Sequence, residues 1–482
     1  MLSRRALLVS AAAAAAVRPA TPSAQTAPAP DSIESARSAT ILQLQRRISE
    51  VKGKPASVDG IRQPDGSSGI ITEVGKRFSV RLQNNIDQPS LIHWHGLTPP
   101  WRQDGVPGIS APPIPPGGSA DYDFPLRFGG TFWMHSHQGL QEQSLMLAPL
   151  IIHDDRNRPR DQEVVLILND FSFTPPEEIF AGLKKSGSMP NMAARAPQMA
   201  SATGMTPTGA AVAPDLNDVK YDAFLANDRT LADPEVVKVE PGGHVLLRVI
   251  NGSSMSNYHL DLGQLKGELI AVDGFRTASV IASRFPIAVA QRLDIRLELP
   301  REPTAYPVLA VLEGDRRQTG IVLAAGRAAI ARIADTTGTT SAALTLDLER
   351  RLHAAVPLRP RKADRVHTLN LTGDMARYIW SINNIAWNKD VPPLPIAKGE
   401  RVELVMINQT RMPHPMHLHG HEFQVVEIDG KRFSGAVRDT VLVTPGRRVV
   451  IAFDANNPGF WAFHCHLLYH LDAGMFTTLR YV

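Results

Sequence analysis

Three segments of this 482-residue chain are written on one plan: Gly75 to Asn84 (GKRFSVRLQN), Gly242 to Asn251 (GGHVLLRVIN) and Gly399 to Asn408 (GERVELVMIN). Each alternates apolar and polar residues, as Phe78, Val80 and Leu82 do, which is the period of a half-buried strand. One strand written three times means one structural unit used three times. The chain is therefore expected to be all-β, with like modules in tandem at about 40–155, 160–325 and 360–482. Residues 326–359 read as a linker with a short helix from Leu346 to Leu352. Residues 171–218, rich in Pro, Ala, Met and Ser and poor in periodicity, read as an extended or poorly ordered loop.

Histidines stand at fixed offsets from these strands. Nine residues beyond Asn84 is His93 and nine beyond Asn408 is His417, opening the pairs His93/His95 and His417/His419. Further on, Gly117, Gly130 and His135 share their spacing with Gly446, Gly459 and His464, which open His135/His137 and His464/His466. The middle copy has Leu260 and Leu262 at the first place and is apolar at the second, around Leu309 and Val311. Residues two apart on a strand share a face. Eight histidines on matching faces of the outer modules are thus expected to meet between them, with the middle module as the spacer that holds them face to face.

The stretch 464–475 (HCHLLYHLDAGM) holds the only cysteine, Cys465, between His464 and His466 and followed by His470 and Met475. Two histidines, one cysteine and a weak axial methionine are the ligands of a blue copper electron-transfer centre, and Cys465, His470 and Met475 supply three of the four. On an extended strand Cys465 would face one metal site while His464 and His466 face another. Zinc has no redox role and does not account for a thiolate between two such ligands. His153, His244, His259, His353, His367 and His421 lack paired spacing and read as packed or surface residues.

At the start, Ser3-Arg4-Arg5-Ala6-Leu7-Leu8 and an alanine run form a secretory leader, expected to be removed within 1–30. Its paired arginines resemble a twin-arginine signal, with Leu7 where an aromatic residue is usual; an ordinary secretory leader is the alternative. Arg4, Arg5 and Arg18 lie in it, so the formal charge of +4 falls to +1 on its removal and no basic patch suggests nucleic acid. No internal apolar run is long enough for a membrane anchor.

The four histidine motifs, His93-Trp94-His95-Gly96, His135-Ser136-His137, His414-Pro415-Met416-His417-Leu418-His419-Gly420 and 464–475, resemble those of the three-domain multicopper oxidases, the laccases and bacterial cuprous oxidases. With the repeats, the resemblance covers essentially the whole mature chain. It implies three tandem cupredoxin-like Greek-key β-sandwich or barrel domains and four coppers. The type 1 copper would lie on His414, Cys465 and His470 with Met475 axial. The type 2 copper would lie on His93 and His417, and the type 3 pair on His95, His135, His137, His419, His464 and His466.

The activity implied is one-electron oxidation of a small donor, a phenol, an aromatic amine or Cu(I), coupled to four-electron reduction of O2 to water. The electron would enter by His414 or His470, one edge of which should approach solvent, and pass through Cys465 to His464 and His466. Asp104, in Arg102-Gln103-Asp104-Gly105, resembles the family's proton-relaying acid, although Asp-Gly is also a common turn pair. Many bacterial relatives carry an acid directly after the second type 1 histidine, where this chain has Leu471. Met189, Met192, Met199 and Met205 either gather cuprous ions or belong to a low-complexity loop. The expected setting is the periplasm, reached through the export machinery. A copper-binding or copper-tolerance protein with incidental turnover is the alternative function; a copper-free descendant and a nitrite reductase fit the full set of histidines poorly.

Overall fold

A computed structural model describes residues 39–154, 161–186 and 215–482. Its strands group into six sheets, two for each repeat. In the first module the sheet order Lys54–Arg62, Thr40–Val51, Arg77–Asn84, Ser119–Pro125 accompanies Ile70–Glu73, Leu147–His153, Gly130–Ser136, Ile92–His95. The middle module has sheets of six and five strands and the third of seven and five, so the all-β expectation holds.

The repeated segments form equivalent strands, Arg77–Asn84, His244–Asn251 and Arg401–Asn408. Each runs parallel to its module's opening strand and antiparallel to a later one, Ser119–Pro125, Arg292–Glu298 or Arg448–Asp454. The closing asparagine explains where the repeat stops. Asn84 Nδ2 donates to Gln88 O and Ile114 O, and Asn408 Nδ2 to Met412 O and Val443 O, while each Oδ1 accepts the N–H two residues on. Asn251 repeats the pattern with Ser256 O, Ile287 O and the Ser253 N–H. An amide that donates twice and accepts once ties the turn after the strand to two backbone carbonyls.

Cross-strand register then fixes the equivalences. His93 lies opposite His135 and His417 opposite His464, whereas in the middle module Leu260 lies opposite Ala310. The matching positions are therefore Ala310 and Leu312, not Leu309 and Val311; an offset of one residue would turn the side chains to the other face.

Residues 171–218 also depart from expectation, because Pro176–Ser186 is a helix. Pro176 at its start, Glu177 and Glu178 in its first turn and Lys184 and Lys185 in its last are the usual terminal signals, obscured by the low-complexity stretch that follows. Met189, Met192, Met199 and Met205 lie outside the described residues, as does the leader. The linker helix is Asp347–Arg351, and the linker is no free tether: Leu344, Leu346 and Leu352 are buried and Glu349 pairs with Arg438.

The spacer is more than passive. Arg292, on the middle module and fully buried, donates from Nε to Thr131 O of the first module at 3.1 Å and from Nη1 to Asp439 Oδ1 of the third at 2.9 Å. One guanidinium thus touches all three modules.

Candidate metal centre

Strand alternation carries the histidines to the interface. His93 and His95 flank Trp94, which sits in the first module's core, and Gly96 must follow: at φ +89°, a Cβ there would lie 2.5 Å from Arg292 Nη2. In the third module Cys465 and Phe463 belong to the core while His464 points to the seam. Strand Phe460–Cys465 ends at Cys465, and the His466 N–H still bonds Pro415 O at 2.7 Å.

The eight paired histidines converge as expected. His464 Nε2 lies 2.9 Å from His419 Nε2 and 3.3 Å from His137 Nε2, joining ligand atoms from both outer modules. His95, His135 and His466 form a second group, and His93 Nε2 faces His417 Nε2 at 3.3 Å beside it. The outer ring nitrogens are tied down. His93 Nδ1 donates to Asp104 O at 2.8 Å, His417 Nδ1 to Asp439 O at 2.9 Å, His464 Nδ1 to Cys465 O at 2.9 Å and His419 Nδ1 to Asp104 Oδ2 at 2.8 Å. Fixing the proton on the outer nitrogen aims the inner lone pair at the centre.

Cys465 forms the other site. Its Sγ lies 3.5 Å from His414 Nδ1 and 4.0 Å from His470 Nδ1, and the two nitrogens are 3.3 Å apart. Helix Leu468–Asp472 swings His470 back toward the strand. Met475 closes the loop: the Cys465 N–H donates to its carbonyl at 3.0 Å and its own N–H donates to His470 O at 2.9 Å.

These residues fit metal ions. Nδ1 of His95 and Nε2 of His135 and His466 are buried, without a hydrogen-bond partner, and grouped within 4.8 Å by their ligand atoms. Three orphaned lone pairs turned on one point would be costly unless a cation met them. Burial, reinforced by neighbouring imidazoles, holds His95, His135, His419, His464 and His466 well below 6.5, and His137 down to about 3. Neutral imidazole is the ligating form. Burial pushes the Cys465 thiol up, so a thiolate there requires a cation beside it.

Asp104 lies against the histidine cluster. Asp104 closes the short 3-10 helix Trp101–Gln103, its N–H bonding Trp101 O, and Gly105 follows at φ +86°, where a Cβ would collide with Ile92 O at 1.8 Å; the Asp104 carboxylate meets His419. Four other residues at the sites lay in no recognised motif. Asp439 Oδ1 accepts from His95 Nε2 at 3.0 Å, and although burial works against its charge, Arg292 and His95 hold its carboxyl well below the usual range. Glu142 Oε2 lies 2.7 Å from His135 Nδ1, and Glu142 lines a small cavity with Leu471. Asp218 Oδ2 accepts from His470 Nε2 at 3.0 Å, and Thr410 Oγ accepts from His414 Nε2 at 2.7 Å. Only Glu142 left a trace, as an acid in the polar run 138–144 directly after His137. The expected exposed imidazole edge is absent: His414 and His470 are both fully buried.

Comparison with known proteins agrees with this geometry. Sequence profiles described as multicopper oxidase match residues 60–157, 162–328 and 360–482. The multicopper oxidase MmcO of Mycobacterium tuberculosis is 30% identical, covering 86% of this chain and 81% of its own. The chain belongs to the multicopper oxidases. A copper resistance protein A homolog of Pseudomonas syringae pv. tomato is 27% identical over 84% of this multicopper oxidase and 86% of the relative. Among solved structures, Fet3p, a multicopper oxidase that functions in iron import, has a TM-score of 0.75 at 21% identity, covering 92% of this chain and 90% of its own. The laccase from Botrytis aclada gives 0.75 at 21% identity, covering 92% and 88%. The fold is three cupredoxin domains. This multicopper oxidase is an oxidoreductase that uses O2, and its cofactors are four coppers: one type 1, one type 2 and two type 3.

Proposed function

We propose that the type 1 copper is held by His414, Cys465 and His470 with Met475 axial, and the type 2 copper by His93 and His417. The type 3 coppers would lie on His95, His135, His466 and on His137, His419, His464, a division supported by the grouping of ligand atoms. The coppers supply single-electron acceptance at the cysteine site and reduction of O2 to water at the histidine cluster. The chain's part is connection. Electrons received beside Cys465 need cross only one residue in either direction to reach His464 or His466. That adjacency of thiol and cluster ligands is the observation that carries the reading.

Asp104 is the proposed proton carrier, since its carboxylate bonds His419 and lies 3.3 Å from His93 Nδ1. The donor is a phenolic or aromatic compound or cuprous ion. Met189 to Met205 are proposed to gather Cu(I), and the paired arginines of the leader to direct twin-arginine export to the periplasm. Among the described residues no helix is long and apolar enough to cross a membrane.

A copper-tolerance role with incidental turnover is the second reading, favoured by the names of the copper resistance relatives. Oxygen uptake decides between them. Protein loaded with four coppers should consume O2 steadily with Cu(I) or a simple phenol, and deleting 189–205 should slow the Cu(I) rate selectively. A loaded protein that oxidises neither donor would refute the oxidase reading.

A further inference from the structure

Three consecutive polar residues, Gln141, Glu142 and Gln143, are buried in the turn between strands Gly130–Ser136 and Leu147–His153 of the first module. Such a run is unfavourable unless its side chains are met, and each is met in a different place. Gln141 stays within its own module: Oε1 accepts from Ser90 Oγ at 2.7 Å and Ser136 Oγ at 2.8 Å, and Nε2 donates to Pro89 O at 2.9 Å. Gln143 reaches the other two. Its Oε1 accepts from Tyr221 OH of the middle module at 2.7 Å and from Tyr469 OH of the third at 3.5 Å, and Tyr469 stands between His466 and His470. The turn also holds a strained residue: Leu145 is buried at φ +66°, and its N–H bonds Glu142 O at 3.0 Å. A conformation that bulky side chains rarely adopt persists only where the surroundings dictate it.

Glu142, between the two glutamines, faces the metal ligands. Its Oε2 lies 2.7 Å from His135 Nδ1, and its Oε1, without a hydrogen-bond partner, lies 3.9 Å from His466 Nδ1. These imidazoles come from different outer modules, and with His95 they make one group of ligand atoms. His95 is backed in the same manner, by Asp439 Oδ1 at 3.0 Å from its Nε2. In the companion group His419 Nδ1 meets Asp104 instead, and His464 Nδ1 meets the carbonyl of Cys465. Among the described residues lining the small cavity beside His135 and His466, Glu142 is the only carboxylate, and Leu468 and Leu471 are apolar.

We infer that Glu142 is a positioning residue for the type 3 copper on His95, His135 and His466, orienting two of its three imidazoles from behind. The inference rests on the proposed function, which places a copper on those histidines. A carboxylate behind an imidazole fixes the ring and makes its other nitrogen a stronger donor. Anchored on either side by Gln141 and Gln143, Glu142 does this for ligands of two modules at once. Without a cation the same group is unfavourable, being a buried carboxyl with one oxygen unmet. Its removal should therefore spare the copper-free fold and weaken the copper-bound one. Leucine at 142 would still leave His135 Nδ1 3.1 Å from Ser136 O.

The test is selective copper loss. Copper-loaded parent, Glu142→Gln and Glu142→Leu proteins are dialysed against a graded EDTA series, with metal analysis and EPR at each step. The oxidised parent should show two EPR-detectable coppers of its four, because the paired spins of the type 3 ions are silent. In Glu142→Leu one copper should leave at about 10–100-fold less chelator. As the total then falls from four to three, EPR-detectable copper should rise from two to three, since the remaining type 3 ion has lost its companion. Glu142→Gln keeps an acceptor oxygen without the charge and should fall between parent and leucine variant. The copper-free leucine variant should melt no lower than the parent; if it does melt lower, the isosteric glutamine variant carries the test. Four coppers retained by the variants at the parent's chelator concentrations overturn the inference, as does loss from all sites together with no rise in EPR-detectable copper. His135→Ala checks the assignment beneath. It should hold fewer than four coppers; if it holds four, the copper on those histidines falls and the role of Glu142 with it.

Discussion

Where the first module has His93 and His95 and the third has His417 and His419, the middle module has Leu260 and Leu262; where the others place His135 and His464, it has Ala310. The strands, their register and the asparagine that ends the repeated strand are alike in all three. The difference lies in what the shared positions carry, and the leucines belong to a continuous apolar core. The middle module serves the site from elsewhere, through Arg292, which braces Asp439 against His95. The contrast teaches that the repeat specifies directions in space, while chemistry is assigned to those directions separately.

Four experiments test that contrast. The largest effect belongs to Cys465→Ser, expected to abolish the thiolate-to-copper absorption and donor oxidation while three coppers per chain remain, read by absorbance and metal analysis. Survival of the blue colour would show that Cys465 is not the type 1 ligand.

Next is the brace. Arg292→Met leaves Asp439 buried without its main partner and should cost about 3–5 kcal/mol in urea unfolding of the copper-free protein. Arg292→Met with Asp439→Leu should recover much of that stability without recovering full copper content. If Arg292→Met alone kept both, the middle module would be a spacer and nothing more.

Grafting histidines tests the contrast from the opposite side. Leu260→His with Leu262→His should bind no fifth copper, since no facing module supplies the remaining ligands, and should destabilise by about 1–3 kcal/mol for each unpartnered polar group. A fifth copper by metal analysis would mean that direction alone suffices.

The last test is of pH. The interface imidazoles have folded pKa values below 6.5, so the unfolded chain binds more protons and stability must fall as pH drops through 6.5 and below. Asp439, depressed below 3.8, adds a loss of the same sign at lower pH. Melting of the copper-free protein between pH 7.5 and about 5 reads the first part; a flat profile would show that the imidazoles are not held neutral.

Much of this was legible in the chain because repetition and strand period are local signals. The equivalent strands, the histidine pairs and Cys465 could all be found by counting residues. What could not be counted was partnership across the fold. Asp439, Asp218 and Thr410 act on histidines by reaching an outer ring nitrogen, and a single Asp or Thr in a strand or turn carries no spacing that announces it. The register of the middle module was read one residue off because only pairing fixes it. Buried His414 and His470 were likewise unforeseeable, since the covering groups come from distant segments.

His93 and His417 meet across 324 positions of sequence, and the thiol lies further on still. Nothing resembling the finished cluster can exist on a polypeptide whose synthesis has not passed His466. Any truncation upstream of His464 removes the thiol together with two of the eight paired imidazoles, so the cluster can close only once both outer modules are present.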